Sequence, residues 1–293
     1  MNYSLQSSLL YCIIKTGKIQ NFNINIHNKY DINELRKFHN FIKKELINYA
    51  TNYNNATSLL DIAVGRGGDI QKWIFSKLKY IVGFDNHGPS IYNSLKEGND
   101  FDGAISRFNN IRSKQKVPFI KFYKLSALNS NTLSFLNSKD FNKKYDIVSC
   151  QFALHYFAKS KDTLKTVLSL VSSKLVKNGL FIGTATNGDL IKNILNNGDV
   201  NIPLLTLLKN NDAYLFNIDS DKNKLNKNYF EIQGISEEYY LLKDDLIDIA
   251  KQCNLELVNI ESFYNWYNNY KQKLTIYEQI ISFLNFSFIF KKL

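Results

Sequence analysis

The chain has 293 residues, 44% hydrophobic and 22% charged, as expected for a folded globular protein of one large or two small domains. Its net charge of +11 either serves solubility alone or attracts a polyanionic partner such as RNA. The three cysteines and four histidines are scattered, which argues against both a metal site and a disulfide framework.

The sequence shows no sign of export or membrane insertion. Asn, Lys or Ser interrupts every apolar run before it reaches the length of a membrane span. The N-terminus has no charged region, and its apolar run over 9–14 is too short for the core of a signal peptide. Together with the scattered cysteines, these features predict a soluble, intracellular protein with no membrane among its partners.

The first elements are a weakly patterned N-terminus and an amphipathic helix. Residues 1–30 alternate only weakly between apolar and polar side chains, which predicts one or two strands. We expect this stretch to be an N-terminal arm or the tail of an upstream domain, and 31–293 to form the main domain. Over 35–49, apolar residues recur on one helical face, so a helix is predicted there.

Strands and helices alternate through the middle of the chain. The nearly continuous apolar run over 58–64 is typical of a strand buried on both faces of a parallel sheet. Further strands are predicted over 80–85, 119–124, 145–150 and 180–184, and helices over 69–78, 89–111 and 162–176. This alternation predicts βαβ units, and therefore an α/β fold with a doubly wound, Rossmann-like sheet.

The alternation stops over 187–233, where Asn, Asp and Lys are frequent. A helix over 244–253 and strands over 255–260 and 284–290 are predicted beyond this segment. We therefore interpret 187–233 as an insertion that covers the active site like a lid, rather than as a linker.

A glycine-rich turn follows the first strand of the predicted sheet. Asp61 lies near the end of that strand, and the turn Gly65-Arg66-Gly67-Gly68 comes directly after it. Glycines let the backbone approach a ligand because they carry no Cβ. Asp85 ends the next strand, where such folds place the acid that binds a ribose. Ile70 occupies the third glycine position of a nicotinamide site, so the motif favours S-adenosylmethionine, with NAD or a structural turn as alternatives.

A second motif, Gln151-Phe152-Ala153-Leu154-His155-Tyr156, follows the strand predicted over 145–150. Ligands of open α/β sheets bind beyond the carboxyl ends of the strands, so this segment is expected to face the substrate. His155 and Tyr156 offer a polar ring and an aromatic face, which suit hydrogen bonding to a base and stacking on it. The alternative is a structural contact at the start of a helix.

Together, these segments resemble the mRNA cap guanine-N7 methyltransferases. The resemblance rests on residues 35–43, the glycine turn with Lys72-Trp73 after it, 149–156 and 179–184, and it runs in order from about residue 31 to the C-terminus. The family comprises free nuclear enzymes and domains of viral or plasmid-borne capping proteins. The resemblance therefore implies a location in the nucleus, or in the cytoplasm or virion if the protein is viral or plasmid-borne.

The resemblance implies a class I fold, S-adenosylmethionine as cofactor, and methyl transfer to the guanine N7 of a GpppN cap. The cofactor contacts that it implies are Lys43 near the methionine carboxylate, Asp85 on the ribose hydroxyls, Asp61, Gly65, Ser126 and Gln151. The substrate contacts that it implies are Asn40, Arg66 and Arg107 near the cap phosphates, and His155, Tyr156 and Glu238 on the guanine. Its implied partners are 5′-capped mRNA and either further capping domains or a stimulatory subunit.

The chain departs from the family pattern at two points. Leu125 precedes Ser126 where the family has an acid, so adenine must be recognised differently. No tyrosine is found near Asn285, and Phe286 is expected to supply the aromatic face instead. For Glu238, the alternative interpretation is a solvent-exposed acid at the edge of a helix, with no role in binding.

No catalytic side chain is expected, because guanine N7 carries a free lone pair and no proton. Aligning the reactants is then sufficient, without a general base, a metal ion or a covalent intermediate. Two other functions stay open. One is methyl transfer to another RNA base or to a small molecule, and the other is a catalytically silent subunit that stimulates a capping partner. The intact glycine turn and Asp85 argue against the silent subunit.

Overall fold

The computed structural model describes residues 32–92, 102–138, 144–202, 204–218 and 235–293. The predicted arm over 1–30 and the final part of the predicted insertion lie outside these residues. In the described part of the chain, no helix is both long enough and apolar enough to cross a membrane.

The strands form two sheets. In chain order they are β1 (Ser58–Ile62), β2 (Tyr80–Asp85), β3 (Phe119–Lys124), β4 (Tyr145–Gln151), β5 (Leu175–Thr186), β6 (Val200–Ile202), β7 (Leu205–Asn210), β8 (Ala213–Asn217), β9 (Ser236–Tyr239), β10 (Leu255–Ser262) and β11 (Asn285–Lys292). The main sheet has the order β10-β11-β5-β4-β1-β2-β3, and all its strands are parallel except β11, which runs antiparallel to both neighbours. The predicted doubly wound α/β fold is confirmed.

The helices cover both faces of the main sheet. They are α1 (Asn33–Tyr53), α2 (Ile70–Phe75), α3 (Gly88–Ile91), α4 (Ala104–Arg112), α5 (Ser130–Leu136), α6 (Lys161–Lys174), α7 (Gly188–Leu195), α8 (Lys243–Gln252), α9 (Phe263–Tyr267) and α10 (Ile276–Phe283), with a 3-10 turn at Leu154–Phe157. Leu59 packs in one apolar cluster with the inward face of α1, and Leu60 in another with that of α6. Burial on both faces explains the continuous apolar run of β1.

The prediction of a single helix over 89–111 is wrong, because two separate helices lie there. Helix α3 ends at Ile91, where Tyr92 turns to an extended conformation, and α4 begins only after Gly103. A side chain at Gly103 would lie 2.8 Å from the carbonyl oxygen of Ile91. Gly103 therefore packs against the end of α3 at a position where only glycine fits. Helices α5, α9 and α10 were not predicted.

The described part of the predicted insertion folds into α7 and a second sheet. Strands β6, β7, β8 and β9 pair in this order and are antiparallel throughout. Leu207, Tyr214 and Phe216 pack with apolar residues of α7 and α10 in a third core cluster. Strand β9 lies beyond the predicted end of the insertion and contacts the 3-10 turn that follows β4.

Candidate active site

A cavity of about 680 Å³ lies beyond the carboxyl ends of β1, β2 and β4. Strand order reverses between β1 and β4, and ligands of open α/β sheets bind at such a reversal. The predicted site residues that line the cavity are Asn40, Lys43, Asp61, Gly65, Arg66, Asp85, Arg107, Ser126, Gln151 and Tyr156. The fold thus brings together residues that are far apart in the chain.

The turn after β1 is built from residues in the left-handed region. Ala63, Gly65 and Gly67 have φ values of 63°, 53° and 72°. The φ of Gly67 would strain any other residue, and a side chain there would also have to displace Ile70 Cδ1, which would lie 2.7 Å away. The turn places the Gly65 backbone N–H 2.9 Å from Asp85 Oδ2, to which it donates a hydrogen bond.

Asp85 is held by the backbone on both sides of its carboxylate. Its Oδ2 atom accepts from Gly65, and its Oδ1 atom accepts from the backbone N–H of His87 at 2.8 Å. Each carboxylate oxygen can accept a further hydrogen bond. The side chain is therefore pre-oriented toward the cavity with capacity for a pair of neighbouring hydroxyls, as a ribose provides.

Asp61 is a buried acid with unmet hydrogen-bonding capacity. Its side chain is 2% exposed, and its Oδ1 atom has no hydrogen-bond partner among the described residues. Burial, together with repulsion from Asp69, raises the pKa of Asp61 well above its ordinary value, although Lys43 acts in the opposite direction. Such a group suits a cationic donor, because an unsatisfied buried acceptor is costly.

Two lysines share one carboxylate beside Asp61. Lys43 Nζ and Lys72 Nζ lie 2.8 Å and 2.7 Å from the same oxygen of Asp69. Burial acts to raise the pKa of Asp69, but the two lysine charges outweigh it and lower the pKa to about 2. The trio therefore keeps a net positive charge. Lys43, expected near a ligand carboxylate, has Asp69 as an ion-pair partner within the protein.

These residues fit S-adenosylmethionine. An acid with an unpartnered oxygen lies beside a net positive cluster, which suits the ammonium and carboxylate of an amino-acid end. Asp85 suits a ribose diol, while Leu125 and Phe84 add apolar surface beside Ser126 for a flat base. The described residues contain no group of three or more His, Cys, Asp or Glu side chains that could hold a metal ion.

The segment after β4 is tied to β5. Thr184 Oγ1 donates to Gln151 Oε1 at 3.1 Å, and Gln151 Nε2 donates to Ser149 Oγ at 3.2 Å. Phe152 has a φ of 54°, and its N–H lies 2.8 Å from the Thr184 carbonyl oxygen. This left-handed backbone costs energy for a bulky residue, and it turns the chain sharply into the 3-10 turn that carries His155 and Tyr156.

His155 and Glu238 lie in the cavity wall and do not line the cavity. They are 2% and 1% exposed, and His155 Nε2 lies 3.4 Å from Glu238 Oε2. Tyr156 and Ser236, which do line the cavity, donate to Glu238 Oε1 at 3.4 Å and 3.1 Å. Tyr214 donates to Oε2 at 2.8 Å. Glu238 is thus one hydrogen bond from the cavity, through either of two side chains.

Glu238 is buried on a strand, so the alternative of a solvated acid at a helix edge is wrong. Burial acts to raise its pKa, but the interaction with His155 and the hydrogen bonds from Tyr214 and Ser236 outweigh it, and the pKa is lowered. The carboxylate is therefore ionised at neutral pH although it is nearly inaccessible to solvent.

The residues expected at the cap phosphates lie on three elements around the cavity. Asn40 Oδ1 accepts from Lys72 Nζ at 2.7 Å, and the Arg66 guanidinium donates to the Asp102 carbonyl oxygen at 3.0–3.1 Å. Arg107 reaches the cavity from α4, as does Arg36 from α1. Arg36 was missed, although its spacing of four and seven residues from Asn40 and Lys43 puts all three on one helical face.

Phe286 does not supply an aromatic face to the site, which corrects the expectation from the sequence. It is fully buried on β11 and packs against Phe288, with ring centroids 6.3 Å apart. His39 and Phe152, to which the sequence assigned no individual role, line the cavity with ring centroids 5.0 Å apart in a stacked arrangement. Burial and the nearby Lys43 lower the pKa of His39 to about 3, so this ring is neutral.

We expect Asp85→Ala to weaken binding of S-adenosylhomocysteine. The variant loses both ribose acceptors and the anchor of Gly65, and a hydrogen bond to a charged group contributes about 1.5–3 kcal/mol. Calorimetry on the folded variant measures the effect, with Asp102→Asn as a control on an exposed acid outside the cavity lining. Unchanged affinity in Asp85→Ala would mean that the ribose binds elsewhere.

This fold and this site define a class I S-adenosylmethionine-dependent methyltransferase. A solved S-adenosylmethionine-dependent methyltransferase from Clostridium acetobutylicum ATCC 824 shares the fold, with a TM-score of 0.55 over 99% of each chain at 17% identity. The family model described as "mRNA (guanine-N(7))-methyltransferase domain" matches residues 17–284. The chain belongs to this family.

Two curated relatives illustrate the similarity. The chain is 28% identical over 268 residues to the "Probable mRNA-capping enzyme" of Acanthamoeba polyphaga mimivirus, a match that covers 81% of the chain and 22% of the relative. It is 34% identical over 170 residues to the "mRNA cap guanine-N(7) methyltransferase" of Caenorhabditis briggsae, over 56% of the chain and 42% of the relative. The match thus spans less than half the length of either protein.

Proposed function

We propose that this chain transfers a methyl group from S-adenosylmethionine to N7 of the guanine in a 5′ GpppN mRNA cap. The observation that carries the proposal is Glu238, an ionised carboxylate buried one hydrogen bond from a cavity that fits the cofactor. A buried acid beside a ligand cavity suits guanine, because guanine alone among the common bases offers two neighbouring donors, N1–H and the exocyclic amine.

At the cofactor end, Asp61 accepts from the ammonium group, and Lys43 attracts the carboxylate. Asp85 accepts from the ribose hydroxyls, while the backbone at Gly65 allows close approach. Ser126 and Gln151 border the same part of the cavity. When bound, the cofactor supplies an electrophilic methyl group on a sulfonium.

At the substrate end, Glu238 pairs with the guanine Watson–Crick edge once Ser236 or Tyr156 releases its cavity-side oxygen Oε1, and Tyr156 offers a stacking face. Both ring nitrogens of His155 are buried and have no hydrogen-bond partner among the described residues, so contact with the base requires the adjacent cavity wall to open. An adenine here would leave donors and acceptors mismatched, at about 1–3 kcal/mol per unpaired group. Asn40, Arg66 and Arg107 lie near the cap phosphates.

The protein acts mainly by orientation. Guanine N7 carries a free lone pair and no proton, so no side chain has to remove a proton. Holding the reacting groups in line contributes on the order of 7–11 kcal/mol at best. Methylation places positive charge on the guanine ring, and the ionised Glu238 beside that ring stabilises it.

We also propose that residues 31–293 form one methyltransferase domain, with 187–233 inserted as a lid over the cavity. Strand β8, in the described part of this segment, pairs with β9, and β9 supplies Ser236 to the cavity lining. Similarity to one part of the mimivirus relative, named a probable mRNA-capping enzyme, supports further capping domains as partners. An independent stimulatory subunit is the alternative partner.

Methyl transfer from labelled cofactor to GpppA-capped RNA, compared with uncapped RNA of the same sequence, tests the proposed function. The expected product is N7-methylguanine in the cap, with no labelling of uncapped RNA. Equal labelling of both RNAs would indicate another RNA base as the substrate. No labelling of either, with intact cofactor binding, would favour a small-molecule substrate or a silent subunit.

Capped RNA is expected to bind more tightly than the GpppA dinucleotide, and the difference is expected to shrink as salt rises. The reason is the net charge of +11, because each phosphate contact releases counterions and this release becomes less favourable in salt. Fluorescence titrations of both ligands across a salt series measure the ratio. A ratio independent of salt would show that the basic surface does not contact the RNA chain.

A further inference from the structure

A chain of buried hydroxyls links Glu238 to the main sheet. Tyr214 on β8 lies directly opposite Glu238 on β9, so the two side chains share one face of the second sheet. Tyr214 Oη lies 2.8 Å from Glu238 Oε2 and 2.7 Å from Oγ1 of Thr186, the last residue of β5. All three side chains are buried.

The chemistry fixes the direction of this chain. An ionised carboxylate can only accept hydrogen bonds, so the single hydroxyl proton of Tyr214 is used on Glu238. The Thr186 hydroxyl must then donate to Tyr214. The hydrogen bonds therefore run from the end of β5, through Tyr214, to the carboxylate on the other sheet.

The two oxygens of Glu238 have different surroundings. Oε2 contacts Tyr214 and His155, neither of which lines the cavity. Oε1 contacts Ser236 and Tyr156, which both do. Tyr214 thus holds Oε2, the carboxylate oxygen farther from the cavity, and leaves Oε1 directed toward the cavity. Any effect of Tyr214 on a ligand therefore acts through Glu238.

We propose that Tyr214 and Thr186 are positioning residues that fix the rotation and the ionised state of Glu238 for guanine recognition. The inference rests on the proposed function, since it assigns Glu238 to the guanine edge. The ordinary alternative is that Tyr214 is only a core residue, because its ring packs in the apolar cluster of the second sheet.

Tyr214→Phe tests the inference, because it keeps the ring and removes only the hydroxyl. We expect KM for GpppA-capped RNA to rise about tenfold, from the loss of one hydrogen bond to a charged group, with S-adenosylhomocysteine affinity unchanged. The acid limb of the kcat/KM profile should also move to higher pH. Loss of the donor destabilises the ionised carboxylate and so raises the pKa of Glu238. Tyr240→Phe, on a ring centred 5.2 Å from that of Tyr214, is the matched control.

Substitutions of Thr186 provide a second route that leaves the Tyr214 ring in place. Thr186→Val should shift KM and the acid limb in the same direction by a smaller factor, and Thr186→Ser should restore both. The double variant Thr186→Val/Tyr214→Phe should have the same KM as Tyr214→Phe alone, because both changes break the same series of hydrogen bonds.

Each possible result of these measurements either supports or overturns the positioning role of Tyr214 and Thr186. Wild-type KM and an unmoved acid limb in both Tyr214→Phe and Thr186→Val would overturn it, as would KM changes that only follow losses of melting temperature and cofactor affinity. Glu238→Gln is measured in the same assay. If Glu238→Gln slows cap methylation about 100-fold while the two positioning variants match the wild type, only the positioning role is wrong. If the wild type does not methylate capped RNA, the proposed function fails and this inference fails with it.

Discussion

Glu238→Gln is expected to slow methylation of GpppA-capped RNA about 100-fold while leaving S-adenosylhomocysteine affinity nearly unchanged. The amide keeps the size of the side chain but offers one acceptor where the guanine edge requires two, and it carries no charge. Leaving buried polar groups unpaired costs about 1–3 kcal/mol each, which corresponds to this loss of rate. Single-turnover rates with saturating cofactor measure the effect on the substrate side alone.

Glu237→Gln is the matched control. Glu237 precedes Glu238 on β9, but its side chain is exposed and contacts Asn210 and Tyr239 on the opposite face of the strand. The same change there should leave the rate near that of the wild type. Rates of Glu238→Gln within a few-fold of wild type would show that guanine is recognised elsewhere, and methyl transfer to another substrate would become the better proposal.

Stability must be followed in the same experiment. The folded-state pKa of Glu238 is lowered, so its ionised form stabilises the fold above the ordinary pKa of a glutamate. That contribution is lost as the pH falls through the lowered pKa. Glu238→Gln should therefore melt below the wild type at neutral pH, with a difference that shrinks in acid. A rate loss that parallels this melting difference would indicate a structural role only.

Asp61→Asn is expected to weaken S-adenosylhomocysteine binding by about 1.5–3 kcal/mol, or roughly 10- to 100-fold, and yet to stabilise the free protein. The raised pKa of Asp61 means that its ionised form destabilises the fold, increasingly so as the pH rises above the ordinary pKa of an aspartate. Asparagine removes that penalty, but it carries no charge and cannot form an ion pair with an ammonium group. Calorimetry and denaturant unfolding measure the two opposite effects.

The pH dependence of binding gives an independent signature of Asp61. An ammonium group in the complex favours the ionised carboxylate, so binding releases a proton, and wild-type affinity should rise with pH up to the raised pKa. Asp61→Asn should lose this dependence, whereas Asp212→Asn, in the exposed turn between β7 and β8, should keep it. Unchanged affinity and pH dependence in Asp61→Asn would place the ammonium group elsewhere.

The sequence by itself determined the parts of the site that depend on short stretches of chain. The apolar run of β1, the glycine turn after it and Asp85 at the end of β2 lie within 28 residues and are shaped by local backbone geometry. Periodicity likewise located α1 and the parallel strands. These elements could be predicted because burial on both faces of a parallel sheet leaves a continuous apolar pattern.

Only the tertiary structure decided the surroundings of the charged groups. The pairing of Lys43 and Lys72 with one oxygen of Asp69, the burial of Phe286 in the sheet core, and the hydroxyl chain from Thr186 to Glu238 all join distant segments. Tyr214 meets Glu238 because β8 and β9 pair in a particular antiparallel register, in which a shift of one residue would turn the side chain to the other face. That register depends on long-range packing, which leaves no local pattern in the sequence.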